Sequence, residues 1–158
     1  MPRRGTVKIR EVKPDPIYKN RFITKLVNRV MYDGKKSVAQ REIYEAFDLI
    51  KEKGEDPMKV FTKALDNIRP TMEVRPRRIG GAAYQVPMPV RGGRKESLAI
   101  RWLVAATRTR SNSEFKTYAE KLAAELLAAA NGEGVAVKKR QEVEKVAEAN
   151  RAFSHFRW

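Results

Sequence analysis

The spacing of apolar residues changes twice along the chain, and this change constrains the fold more than any other feature. Up to Pro70, and again from Leu98, apolar side chains recur every three to four residues, as they do in amphipathic helices. In residues 72–90 the period is two, as in a strand, and Gly80-Gly81 divides the stretch into two runs. Glycine tolerates the positive φ of a tight hairpin turn. The pattern therefore predicts one β-hairpin inserted among helices.

Proline within both apolar runs limits how this hairpin can pair. Pro76 lies in the first run, and Pro87 and Pro89 lie in the second. Proline has no N–H to donate to a ladder, so each run is expected to be an edge strand. No other segment offers a third strand. We therefore predict a two-stranded antiparallel hairpin, at about residues 71–90, that protrudes from the rest of the chain.

The helical stripes number six. Apolar residues that share a face begin at Phe22, Ala39, Val60, Leu98, Phe115 and Val143. Asp56-Pro57 is typical of a helix start, and Ser111 and Glu114 have the spacing of a capping box. Glycine at 34, 54 and 132 is expected to stop the helices that precede it. The predicted fold class is mainly α, a single domain of about six helices with one protruding two-stranded hairpin.

Residues 1–19 lack this periodicity. They contain Pro14 and Pro16, and residues 1–13 carry five Lys or Arg against one Glu. We expect an extended basic N-terminal arm over residues 1–19 and a helical body over residues 20–158 that includes the hairpin. The first five residues are charged but no apolar stretch follows them, so a secretory signal is not expected and a cytoplasmic location is.

The charge balance indicates the kind of partner. Lys and Arg total 34 against 19 Asp and Glu, a formal net charge of +15. Residues 69–95 alone carry seven basic side chains against one acid, Glu73. Such self-repulsion is relieved by a polyanion, and nucleic acid is favoured over a merely soluble basic protein. A membrane surface is disfavoured because the densest basic runs lie away from the apolar helix faces.

Catalysis finds no support in the residue types. His155 is the only histidine and there is no cysteine, so neither a His-based metal cluster nor a Cys-His pair is expected. The acidic side chains lie mostly on amphipathic helices, where they are typical of solvated or ion-paired groups. We expect no cofactor, no metal and no small-molecule substrate.

Further basic clusters stand outside the hairpin. Lys25, Asn28, Arg29, Lys35 and Lys36 are expected to share one face near a helix junction, although a solvated helix face is the alternative. Arg108, Arg110 and residues 138–140 raise the same two alternatives.

Aromatic and basic residues alternate in the last nine positions. Phe153, Phe156 and Trp158 alternate with Arg151 and Arg157, so the aromatic side chains either stack on unpaired bases or pack the last turn onto the body.

Four stretches together resemble the ribosomal protein seven family of the bacterial small subunit. The most specific is NIRPTMEVRPRRIGGAAYQVP at residues 67–87, and the others are residues 22–36, 97–103 and 147–158. The resemblance runs essentially from end to end. It implies a non-catalytic primary binder of the 3′ major domain of 16S rRNA that nucleates assembly of the subunit head. It also implies that the hairpin projects toward the exit-site tRNA and the mRNA exit path, and that small-subunit proteins nine and eleven are neighbours.

The resemblance and the charge pattern also imply site residues. The expected rRNA contacts carried over from the family are Arg3, Arg4, Lys8, Lys25, Asn28, Lys35, Lys36, Arg75, Arg77, Arg78, Arg91, Arg94, Lys95 and Arg101. The charge pattern adds Arg10, Arg29, Arg108 and Arg110. The residues expected near the exit-site tRNA and mRNA are Arg77, Arg78, Gly80, Gly81 and Tyr84. Those expected to contact protein eleven are Asn150, Arg151, Phe153, Phe156 and Trp158. The main rival is a DNA-binding protein with a hidden helix-turn-helix, which predicts one dominant recognition helix rather than this spread of charge.

Overall fold

The first three helices of the computed structural model, which describes Gly5 and residues 11–156, follow the predicted stripes. They are α1 (Arg21–Val30), α2 (Lys36–Glu52) and α3 (Pro57–Ile68). The Asp56 side chain accepts the N–H of Met58, and Pro57 occupies the first turn of α3, which confirms the predicted start. At α1 the Asn20 side chain has the same role toward Phe22. Helices α1 and α3 therefore begin where a short polar side chain satisfies a free N–H, whereas α2 begins after Lys35 without a side-chain cap.

The predicted stop at Gly34 is wrong for α1. The helix ends at Val30, and residues 31–35 form a separate turn before α2. Asp33 and Gly34 both have left-handed backbone, with φ of 48° and 74°, and the Lys35 N–H donates to the Tyr32 carbonyl at 2.8 Å. Gly34 is thus needed by the connection between the helices and not by the helix end. Gly54, with φ of 83°, follows Lys53, the C-cap residue of α2, as predicted.

The hairpin has the predicted form. Strands β1 (Met72–Ile79) and β2 (Ala82–Pro89) pair antiparallel, from Met72 opposite Pro89 to Ile79 opposite Ala82. Gly80 and Gly81 form the two-residue turn, with φ of 57° and 90°. Among the described residues this pair of strands is the whole sheet, so both strands are edges and the prolines break no inner ladder.

The second half of the chain is helical as well. It contains α4 (Gly92–Thr109), α5 (Tyr118–Ala130), α6 (Val135–Ala149) and a 3-10 helix (Arg151–Phe156). The mainly helical fold class with one hairpin is therefore confirmed. Helix α6 differs from the prediction at its start, because the predicted stripe begins at Val143 and the helix begins at Val135. The α-helix ends at Ala149, and the chain then tightens into 3-10 turns.

The capping box lies at a different place from the one predicted. Residues 111–116 form turns, and the box that starts α5 consists of Thr117 and Glu120. Both Ser111-x-x-Glu114 and Thr117-x-x-Glu120 satisfy the motif, but buried apolar positions at helical spacing begin only after the second. Phe115, predicted to begin the stripe of α5, lies instead in the turn before it.

The core is formed by helices alone. The large cluster of buried side chains draws residues from all six α-helices, with Phe47 and Phe61 in contact at a centroid distance of 5.8 Å, and it contains no residue of the hairpin. Helix α5 packs against α2, α3 and α4, while the hairpin contacts α6 and the 3-10 helix. The hairpin therefore lies outside the helical core and packs along α6 and the 3-10 helix.

Part of the predicted N-terminal arm packs on the body. Asp15 is buried, and its carboxylate accepts the N–H groups of Ile17 and Tyr18 and the hydroxyl of Tyr44 on α2. The Tyr18 ring meets Phe47 edge-on at 5.1 Å. Contact with the body therefore begins before residue 20, the boundary expected from the sequence. Arg3, Arg4, Lys8 and Arg10 of the arm, and Trp158 of the tail, lie outside the described residues.

Candidate nucleic-acid interface

Three elements with predicted binding residues meet around the first turns of α4. The Lys25 ammonium on α1 donates to the Glu96 carboxylate on α4 at 2.6 Å, and the Arg94 guanidinium on α4 donates to Glu73 on β1 at 2.6 Å. A shallow cavity of about 210 Å³ between α1 and α4 is lined by Lys25, Arg29 and Ser97, among others. These contacts bring Lys25, Arg29 and Arg94 to the place where α1, α4 and the hairpin base meet. We name the α1–α4 face by its members Lys25, Asn28, Arg29, Arg91, Arg94, Lys95 and Arg101.

Four cations of the α1–α4 face have no acidic partner in the described part of the chain. Within residues 11–156, the structure shows no ion pair for Arg29, Arg91, Lys95 or Arg101. Arg29, Arg91 and Arg101 are also exposed. Exposed guanidinium groups without an acidic neighbour are the usual ligands of phosphate oxygens, which they can bind with two parallel hydrogen bonds. This face has the chemistry of a phosphate-binding surface.

Glu73 connects the hairpin to this face. Its side chain is buried although it lies on a two-stranded ribbon, and it accepts hydrogen bonds from Arg75 and Arg94. Burial by itself raises the pKa of the Glu73 carboxyl, but the two guanidinium groups hold that pKa below its usual range. Arg75 and Arg94 are thus partly neutralised and fix the hairpin against α4. Each keeps further N–H donors that Glu73 does not use.

Residues near the hairpin tip belong to a second cluster. Arg77 and Arg78 precede the Gly80-Gly81 turn, and Arg77 lies opposite Tyr84 in the register. The Tyr84 ring contacts Phe153 and Phe156 of the 3-10 helix at centroid distances of 5.3 and 5.5 Å. The two alternatives for Phe153 and Phe156 are stacking on bases and packing of the last turn onto the body. The structure shows packing, and the surface on which these rings pack is the hairpin.

The turn between α1 and α2 gathers a third group of cations. Lys35 and Lys36 are exposed there, and Arg108 at the end of α4 lines the same pocket as Lys35. The Arg108 guanidinium donates to the backbone carbonyl of Val30, the last residue of α1, at 3.2 Å. It also lies 4.2 Å from the centre of the Tyr32 ring. A carbonyl at a helix C-terminus favours a cation, so Arg108 is held beside the pocket that Lys35 also lines.

Arg110 stands apart from these groups. Its guanidinium donates to the Glu125 carboxylate at 2.8 Å, and that carboxylate is fully buried and also accepts the Ala136 N–H at 3.0 Å. The sequence grouped Glu125 with the solvated acids of amphipathic helices. The one feature of the sequence that indicates burial of Glu125 is its position three residues after Leu122, on the apolar side of α5. Contact of Arg110 with rRNA stays a prediction, and the ion pair gives it a structural role.

Asn150 and Arg151, expected to contact protein eleven, lie where α6 passes into the 3-10 helix. The Asn150 side chain donates to the Val146 carbonyl at 2.8 Å, and exposed Arg151 pairs with Glu148 at 3.1 Å. Among the described residues, no group of three or more acidic or histidine side chains could hold a metal ion. No helix in that part of the chain is both long enough and apolar enough to cross a bilayer.

Comparison with known proteins identifies the family of the chain. The family model described as ribosomal protein S7p/S5e matches residues 2–151. Similar proteins named small ribosomal subunit protein uS7 occur in Caldicellulosiruptor bescii and in Thermoanaerobacter sp. strain X514. They are 56% and 57% identical over 159 aligned positions that cover both chains completely. The class so defined is that of ribosomal proteins, with a structural and not an enzymatic role. Within that class, the chain belongs to the ribosomal protein S7p/S5e family, which confirms the resemblance found in the sequence.

Proposed function

We propose that this chain is a structural constituent of the small subunit of cytoplasmic ribosomes, where it binds the 3′ major domain of 16S rRNA as a primary binder and nucleates assembly of the head. The observation that carries the proposal is the α1–α4 face, where exposed cations without acidic partners from α1 and α4 lie beside the hairpin base. Phosphate contact by such groups supplies a large share of the affinity of nucleic-acid-binding proteins and fixes their orientation.

The proposed division of labour follows from how the parts are attached. The α1–α4 face belongs to helices that form the core, so it offers a rigid anchor for rRNA. The hairpin lies outside the core and projects Arg77, Arg78, Gly80 and Gly81 away from its base, which suits a reach toward the exit-site tRNA and the mRNA exit path. The 3-10 helix and the end of α6 are the proposed contact with protein eleven, and protein nine is a further proposed neighbour.

Competition between nucleic acids tests the proposal. We expect the chain to protect defined nucleotides of a 3′ major domain transcript from chemical modification, and an equal concentration of duplex DNA to leave that protection intact. The reason is that cations on two helices, a hairpin and a turn suit a folded RNA that wraps the protein better than one straight groove. Displacement of the chain by duplex DNA at equal concentration would refute rRNA specificity.

Charge reversal at the hairpin tip is expected to weaken RNA engagement without unfolding the body. We choose Arg77→Glu with Arg78→Glu, and leave Arg75 unchanged because it holds the buried Glu73. Binding to the rRNA transcript or to tRNA should fall about tenfold or more, since a charge-assisted hydrogen bond contributes roughly 1.5–3 kcal/mol. Binding is measured by filter retention and folding by helical circular dichroism.

A matched control reverses the same number of charges elsewhere. Lys59 and Lys63 are exposed on α3 and are not among the expected RNA contacts. The Lys59→Glu, Lys63→Glu variant should bind nearly as the wild type does. Equal losses in the two variants would mean that only net charge matters. Loss of helical signal in the hairpin variant would mean that the hairpin stabilises the body.

A further inference from the structure

The turn between α1 and α2 borders an apolar pocket of about 310 Å³ that no proposed function yet uses. Its lining includes Tyr32, Val38 and Ala39, with Lys35 and Arg108 at the same site. Tyr32 and Val38 are 64% and 45% exposed, which places two large apolar side chains in water side by side. Exposed apolar groups rimmed by polar ones commonly mark a binding site.

The Tyr32 ring is held in place and has one open face. The Arg108 guanidinium lies 4.2 Å from the ring centre and covers one side, and its bond to the Val30 carbonyl fixes the guanidinium. The backbone of the turn is fixed as well, because the Tyr32 carbonyl accepts the Lys35 N–H. Since the ring is 64% exposed although one side is covered, its other side faces solvent. A fixed aromatic ring costs little entropy when a flat ligand stacks on it.

The charges around the pocket favour an anionic ligand. Lys35, Lys36 and Arg108 have no ion-pair partner in the described part of the chain. The one acid of the lining, Glu42, accepts the Ala119 N–H at 3.2 Å, at the first turn of α5, where the helix dipole offsets its negative charge. Burial raises the pKa of the Tyr118 hydroxyl, so this other wall residue stays neutral.

We propose that one unpaired RNA base enters this pocket, stacks on the open face of Tyr32 and contacts Val38 and Ala39, while its phosphate binds Lys35 or Lys36. The inference rests on the proposed function and adds a site to it. RNA is preferred to a protein segment because the site combines a flat aromatic surface with unpaired cations, the two features by which proteins hold single-stranded nucleotides. The ligand is therefore a bulged or looped-out nucleotide.

Two substitutions of Tyr32 separate stacking from other effects. Tyr32→Leu keeps an apolar side chain and removes the aromatic face, so affinity for the 3′ major domain transcript should fall about tenfold with an unchanged salt slope, since stacking is not a counterion effect. Tyr32→Phe keeps the ring and should bind within about twofold of wild type. Ile17→Ala is the control, because Ile17 is exposed to the same degree, 63%, but lies outside the pocket.

Each outcome decides one question. If the wild type does not bind the transcript, the proposed function fails. If the wild type binds and Tyr32→Leu binds equally well, only the base pocket is refuted. If Tyr32→Leu keeps its RNA affinity but blocks addition of a ribosomal protein during subunit reconstitution, the pocket holds protein and the inference is also refuted.

A second variant covers the case in which Tyr32→Leu does not fold. The indole of Tyr32→Trp should bind RNA at least as tightly and should lose fluorescence on binding, measured against the wild type with its two native tryptophans. Absence of extra quenching in a variant that binds RNA would overturn the stacking.

Discussion

Raising the monovalent salt concentration from about 50 to about 200 mM is expected to weaken binding to the 3′ major domain transcript by about three to five decades. The reason is release of counterions from RNA when Lys and Arg neutralise roughly 6–10 phosphates. The chain has a formal net charge of +15, and its described part carries cations without ion pairs on the α1–α4 face and at the α1–α2 turn, besides the arginines of the hairpin, which gives enough groups for that number. The measurement is the equilibrium constant at several salt concentrations, plotted as log K against log salt.

Single-residue variants assign this salt dependence to particular groups. Arg29→Gln and Arg101→Gln each remove one cation of the α1–α4 face, and each should lower the salt slope by about one if its phosphate contact is lost. Lys63→Gln on α3 should leave the slope unchanged. A flat salt response of the wild type would contradict the electrostatic account. Equal salt slopes for all three variants would mean that the α1–α4 face does not contribute to the salt dependence of binding.

The second large effect concerns stability. Arg110→Ala is expected to lower the free energy of unfolding by about 3–5 kcal/mol, because it leaves the Glu125 carboxylate buried without a cation. Among the described residues, the Ala136 N–H alone would remain as a hydrogen-bond donor to it. For a chain of this length the midpoint of thermal unfolding should fall by roughly 6–20 °C. Urea unfolding followed by circular dichroism gives the free energy directly.

Two further variants show that burial is the cause. Arg151→Ala breaks the ion pair between Arg151 and Glu148, two side chains that are 80% and 71% exposed. This change should alter the free energy of unfolding by less than about 1 kcal/mol. The double variant Arg110→Met, Glu125→Leu removes both charges and should be close to neutral or stabilising. Equal effects of Arg110→Ala and Arg151→Ala would contradict the account. The double variant also tests whether Arg110 binds rRNA, because it removes the cation without unfolding the chain.

Local features of the sequence were sufficient to predict the secondary-structure elements. The hairpin was predictable because strand and helix differ in the period of their apolar residues, and because Gly80-Gly81 meets a backbone requirement of the turn itself. The start of α3 at Asp56 and Pro57 was predictable for the same reason, since a cap involves only adjacent residues. The capping box was misplaced because two copies of the motif occur close together, and only packing against the core selects the second.

The sequence by itself determined the helical class, the single hairpin, the positive charge and the resemblance to a ribosomal protein family. Only the tertiary structure decided which charged groups are free. Glu73 and Glu125 are acids on regular elements, yet both are buried against arginines 21 and 15 positions away along the chain. The packing of Tyr84 on Phe153 and the approach of Arg108 to Tyr32 likewise join distant segments. Periodicity reports only local backbone geometry, whereas burial and ion pairing depend on which segments the fold brings together.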